Sequence, residues 1–151
     1  MGRGKIKNKV IKLIIDNQEI LIDRADVKNL ILFKIRINKS GYVEYGRKKL
    51  HRVIMNPPPE LDIDHKNRNK LDNRRCNLRI CTPSQNLMNR PKQANNRTGY
   101  KGVSFNKKHG KYYASIKAGN LKKHLGSFNT PKEAAVAYQK AAKKYHGKWR
   151  G

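Results

Sequence analysis

Short stretches of alternating or β-branched apolar residues run along the chain, and most of them end within a few positions at turn-forming residues. Residues 11–15 and 19–23 flank Asp16-Asn17-Gln18, a pattern that predicts a hairpin. A second hairpin is expected between residues 32–38 and 42–45, joined by Lys39-Ser40-Gly41. The first 50 residues therefore read as a small β-rich scaffold. Residues 50–55 form a short apolar run that stops at Asn56-Pro57-Pro58-Pro59, through which no helix continues. Residues 61–65 alternate like a strand, and residues 77–81 do so again after a polar loop. Thr82 and Pro83 then supply a helix cap and a first helical position, giving the order strand, loop, strand, helix.

The polar stretch 89–98 contains Pro91 and no apolar period, so it reads as a linker with a boundary near residue 96. Beyond it, residues 101–106, 111–117 and 121–128 are strand-like, separated by His109-Gly110 and Gly119-Asn120. Thr130-Pro131-Lys132-Glu133 is a capping box, and Ala134, Ala137, Tyr138, Ala141, Ala142 and Tyr145 recur at helical spacing. The expected fold class is α+β. A three-stranded antiparallel sheet packed on one helix should occupy 97–151, after a first domain over 1–95 divided into the scaffold 1–50 and a core 51–95.

Composition narrows the partners. The 151 residues carry 36 Lys and Arg against 10 Asp and Glu, a net charge of +26, which calls for a polyanion. Residues 97–151 hold 14 basic residues and one acid, whereas residues 51–96 hold nine and four. No apolar run approaches the ~20 residues of a membrane span, and no signal-peptide pattern is present, so a soluble, intracellular protein with no membrane partner is expected. Cys76 and Cys81 are too few for a disulfide framework or a four-thiolate zinc site, and no zinc is expected.

Acids kept inside a basic protein draw attention to Asp62, Asp64 and Asp72, which lie near His65. Hydrolysis of a phosphodiester needs a divalent cation and a base for the attacking water. Asp64 and Asn86 offer the oxygen ligands that Mg²⁺ or Mn²⁺ prefers, and His65 titrates near neutrality. Asn77, on the second strand, could hold the imidazole in one tautomer through its side chain. Neighbours on an ideal strand point to opposite faces, so Asp64 and His65 share a site only if the strand bends or ends there. Spacing alone leaves open a solvated Asp–His pair.

The run Leu50-His51-Arg52-Val53-Ile54-Met55, then Ile63-Asp64-His65-Lys66-Asn67, then Leu71-Asp72-Asn73-Arg74-Arg75-Cys76-Asn77-Leu78-Arg79-Ile80, then Ser84-Gln85-Asn86 resembles an HNH homing endonuclease of the phage and mobile-intron type. The resemblance implies a ββα-metal nuclease core. It makes His65 the general base, Asn77 its orienting residue, and Asp64 and Asn86 the ligands of one divalent cation. Asn86 stands where other branches place His, and the branch with Asn typically nicks one strand. His51 matches a recurrent histidine and is expected to be structural. Arg74, Arg75 and Arg79 are expected to bind phosphate.

In the last third, Tyr100-Lys101-Gly102-Val103, residues 110–117, Leu125-Gly126-Ser127-Phe128 and residues 133–138 resemble the ethylene-responsive-factor type of DNA-binding domain. That domain lays its sheet in the major groove, and the alternation of Lys111, Tyr113, Ser115 and Lys117 with apolar neighbours gives one polar face by itself. The resemblance carries DNA contact to Lys101, Ser104, Asn106, Lys108, Ser115, Lys117, Lys122 and His124, to which the alternation adds Lys111 and Tyr113. Several of these are Lys where the plant pattern has Arg or Trp, so duplex binding is expected without a plant-like target site. The expected function is metal-dependent nicking of double-stranded DNA by a monomer with no obligate protein partner. A non-catalytic DNA-binding regulator with a degenerate core and a basic RNA-associated protein are the alternatives.

Overall fold

The structure is a computed structural model that describes residues 9–28, 30 and 34–149. The chain divides into two compact units, Met1–Cys81 and Thr82–Gly151. The division falls earlier than the boundary read near residue 96, because the segment after Cys81 packs with later residues of the chain. Within the second unit, for instance, Lys101 Nζ donates to the Met88 carbonyl at 2.6 Å.

In the first unit, β1 (Val10–Ile15) and β2 (Gln18–Asp23) form the expected antiparallel hairpin. Its turn is shorter than read: Asp16 and Asn17 have φ of 49° and 57°, the left-handed pair of a two-residue type I′ loop, and Gln18 already pairs with Ile15. A one-turn helix, α1 (Arg24–Val27), comes next; its four residues are too few for a periodic signal. The second hairpin is β3 (Ile35–Ile37) with β4 (Val43–Tyr45), extended by β5 (Lys48–Lys49). Residues 32 and 33 of the expected first strand lie outside the described residues. The apolar run before the prolines is helix α2 (Leu50–Met55), ended by Asn56 at φ 42°.

Next, β6 (Asp62–His65) pairs antiparallel with β7 (Leu78–Cys81). The core gathers Ile20 and Ile22 from β2, Val43 and Tyr45 from β4, Leu50 and Ile54 from α2, Ile63 and Leu78. Scaffold and site thus share one apolar cluster.

The second unit opens with α3 (Pro83–Asn89), whose Thr82 hydroxyl and Gln85 side chain form a reciprocal capping box. The strands β8 (Val103–Asn106), β9 (Lys111–Ala118) and β10 (Leu121–Phe128) form an antiparallel sheet with β9 central. Helix α4 (Pro131–Tyr145) starts at the Thr130–Glu133 capping box and packs on the sheet through Ala134, Ala135, Tyr138, Ala141 and Ala142. The small face is matched by Gly102: a Cβ there would lie 2.1 Å from the Tyr138 ring, and its φ of 71° disfavours other residues. The architecture is α+β, with several small antiparallel sheets and few helices. No helix among the described residues is long and apolar enough to cross a membrane.

Candidate active site

Strand β6 ends at His65, the place where the sequence requires it to bend or end if Asp64 and His65 are to share a site. Asp64 and His65 are both buried, each 5% exposed. The antiparallel register sets Asp64 opposite Arg79 and His65 opposite Leu78. Across that register Arg79 Nε donates to Asp64 Oδ2 at 2.7 Å, with its Nη2 2.5 Å from the same oxygen. After His65 the chain turns through Arg68, at φ 64°, whose N–H donates to the His65 carbonyl.

Asparagines build the 66–77 loop. Asn67 and Asn69 each accept a hydrogen bond from the backbone two residues on, closing consecutive side-chain turns. Asn77 accepts from the Asn67 N–H at 3.0 Å and donates to the Asp72 carbonyl at 2.8 Å. Both of its amide atoms bond the main chain of the loop that follows His65. Asn73, fully buried in the same loop, donates through its side-chain amide to the Lys70 carbonyl at 3.3 Å. The loop is fastened in turn to the scaffold: Leu21 N–H donates to the Leu71 carbonyl and Asn73 N–H to the Leu21 carbonyl. Asp23 accepts from the Arg75 N–H at 2.9 Å.

Burial lowers the His65 pKa, and the neighbouring Asn73 amide with the Asp64 and Asp72 charges opposes that shift only in part. Burial thus favours the neutral ring, the form that accepts a proton. His51, expected to be structural, packs edge-on against it with ring centres 5.1 Å apart, and Tyr42 lies 6.1 Å from His65 and 5.4 Å from His51. Burial pushes His51 down to about 3, helped by the charges of His65, Lys49 and Arg52. Two neutral imidazoles can share this buried space; two cations could not.

The arginines expected to bind phosphate are each held by a carboxylate. Arg74 makes two 2.7 Å bonds to buried Asp72, whose pKa is lowered chiefly by those bonds. Arg75 forks onto Asp26 and donates to the Ile54 carbonyl, and Arg79 is on Asp64. Each arginine expected to bind phosphate is thus also paired with a carboxylate inside the fold. Cys76 is exposed; Cys81 is buried, and burial raises its thiol to about 11. No cluster of three or more His, Cys, Asp or Glu suited to a metal occurs among the described residues.

Asn86 belongs to the second unit, half-buried on α3. In the same unit the register sets Ser104 and Ser127 against Tyr113, Asn106 against Lys111, His124 against Ser115 and Lys122 against Lys117. Directly paired residues share a face, so the expected polar face is formed. The opposite face carries Ala114 and Ile116 toward α4. Lys108 is exposed in the β8–β9 turn, where Asn106 Oδ1 accepts from its N–H. Asn106 is thus partly engaged in shaping the turn, and Lys101 in bonding Met88. Sequence reading missed Tyr42 and Asn73; Asn73 sits within the recognised motif, whereas Tyr42, in a separate hairpin, carries no local signal.

Residues 48–88 match the family described as HNH endonuclease, a segment running from β5 through α3. A protein of Acanthamoeba polyphaga mimivirus, described as an uncharacterized HNH endonuclease, is 32% identical over 126 residues. That similarity covers 78% of this chain, and the chain spans 65% of the relative's length. No solved structure matches. Asp64, His65, Asn77 and Asn86 all fall within the matched segment, which is similar to an HNH endonuclease domain.

Proposed function

We propose that this chain is a metal-dependent endonuclease of the HNH type that nicks one strand of double-stranded DNA, with the sheet of its second unit as the duplex-binding element. The observation carrying this reading is His65, a buried imidazole at the end of β6 whose pKa burial lowers, beside a carboxylate and ahead of a loop fastened by Asn77. His65 is the general base that takes a proton from water as the water oxygen attacks phosphorus and the 3′ oxygen departs. Asn77 is the orienting residue, and it acts by holding the loop that follows the ring.

The donor chemistry fits a hard divalent cation. Mg²⁺ is usually held by one or two carboxylates with water and substrate phosphates, and Asp64 is such a carboxylate. Asn86 is the second ligand on the strength of the motif. When bound, the ion would neutralise charge on the scissile phosphate and the departing oxygen. The resemblance of residues 97–151 to the ethylene-responsive-factor type supports duplex binding through Ser104, Lys111, Tyr113, Ser115, Lys117, Lys122 and His124. The mobile-element character rests on the resemblance of the motif alone.

A non-catalytic DNA-binding role has one observation in its favour, the Arg79 fork on Asp64, which a cation would have to share or displace. Plasmid nicking by the full chain decides between them. Relaxed circles formed with Mg²⁺ or Mn²⁺ and absent with EDTA are the expected result; no nicking with either ion, alongside intact duplex binding, favours the second role.

A further inference from the structure

Arg74, Arg75 and Arg79 are each paired with a carboxylate, and two exposed lysines also lie near His65. Lys49, on β5, and Lys70, in the 66–77 loop, are exposed, and each ammonium lies 4.5 Å from the centre of the Tyr42 ring. That ring is 6.1 Å from His65, so both charges fall within about 11 Å of the imidazole centre and within about 9 Å of each other. Neither lysine makes an ion pair with a described residue. Glu44 is the cross-strand partner of Lys49, but its carboxylate accepts from Arg36 Nε at 2.9 Å and Asn38 Nδ2 at 2.8 Å. Lys70 donates one bond, to the Ser40 carbonyl at 2.7 Å, and an ammonium has three donors. Two like charges gathered on one neutral ring repel unless an anion lies between or over them.

We propose that Lys49 and Lys70, gathered on Tyr42 beside His65, bind backbone phosphates of the DNA strand to be cut. A strand presents one phosphate about every 3.4 Å of helix axis, so the pair spans neighbouring phosphates next to the scissile one. Tyr42 sets the spacing by drawing both ammonium groups to its ring, and its own position is fixed by its N–H, which donates to Asn38 Oδ1. This inference rests on the nuclease reading for the identity of the strand, but its binding test does not require turnover.

The test compares the full chain with Lys49→Gln/Lys70→Gln, with Lys49→Arg/Lys70→Arg, and with a control, Lys132→Gln/Lys140→Gln, on exposed positions of α4. Duplex affinity is measured against salt in EDTA, and nicking in Mg²⁺. Two lost phosphate contacts should make the slope of log K against log salt shallower by about 1.8. KM for nicking should rise about tenfold with kcat within about threefold, since ground-state and transition-state binding are lost together. The Arg pair should keep the wild-type slope and the control pair should keep KM. An unchanged slope and KM in the Gln pair, an equal KM rise in the control, or a slope lost in the Arg pair as well would each overturn the proposal. Absence of nicking by the wild-type chain would instead count against the nuclease reading, with the slopes still deciding the phosphate contacts.

Discussion

The first unit, Met1–Cys81, holds 20 Lys and Arg against nine Asp and Glu, whereas Thr82–Gly151 holds 16 against Glu133 alone. In the first, Asp26, Asp64 and Asp72 are buried and each is forked by an arginine. In the second, the single acid caps a helix and the sheet's polar face keeps its lysines. A buried charge pair costs desolvation and holds geometry, while unmatched surface charge attracts a polyanion without fixing anything. The difference teaches that a basic protein can divide these tasks: arginine paired with buried acid builds a site, and unpaired lysine leaves charge free for a polyanion.

The most severe way to break the comparison is to unfold one side of it. Gly102→Ala, with its Cβ driven into Tyr138 at a left-handed backbone, should destabilise the second unit by about 2–4 kcal/mol. Denaturant unfolding should show the loss, and duplex affinity should fall with it. Asn77→Ala attacks the other side. It leaves the Asn67 N–H and Asp72 carbonyl without their partner, at a cost of about 2–3 kcal/mol. Nicking should drop at least tenfold while the salt slope of duplex binding stays as it was.

Acidity offers a finer probe. His51 is neutral when folded, with its pKa lowered to about 3, but protonates near 6.5 when unfolded. Its contribution to stability is complete above about pH 6.5 and is lost as pH falls toward 3, by at most about 1.4 kcal/mol per pH unit. His65, shifted in the same direction, adds to the slope. Urea unfolding between pH 5 and 7 should show this fall, and His51→Leu should flatten it. The smallest effect is expected from Lys117→Gln/Lys122→Gln, a cross-strand pair on the polar face. It should make the salt slope of duplex affinity shallower by up to about 1.8 and leave kcat unchanged.

Much of this was legible from residue pattern alone. The hairpin around Asp16 and Asn17, the caps at Thr82 and Thr130, and the two faces of β9 depend on neighbours close in sequence, and so each was readable, with only the length of the turn missed. The polar face of the sheet came from period-two alternation. What escaped depends on distant pairing. Arg75 looks like a loop charge until Asp26, 49 residues away, is brought to it. Tyr42 and His51 join His65 only through tertiary packing. The abundance of asparagine likewise carried no meaning in the sequence, whereas in the 66–77 loop Asn67, Asn69, Asn73 and Asn77 each bond the chain around them. Asn77 matches the motif, but the bonds it makes to the Asn67 and Asp72 main chain depend on the folded loop.

The central claim is that His65 performs chemistry while other groups hold the DNA. His65→Ala, compared with wild type for plasmid nicking in Mg²⁺ and for duplex affinity in EDTA, tests it most directly. Loss of a general base should slow nicking by roughly 10²–10⁴-fold with affinity within a few-fold of wild type. Undiminished nicking, or a loss of nicking matched by an equal loss of affinity, would contradict the account.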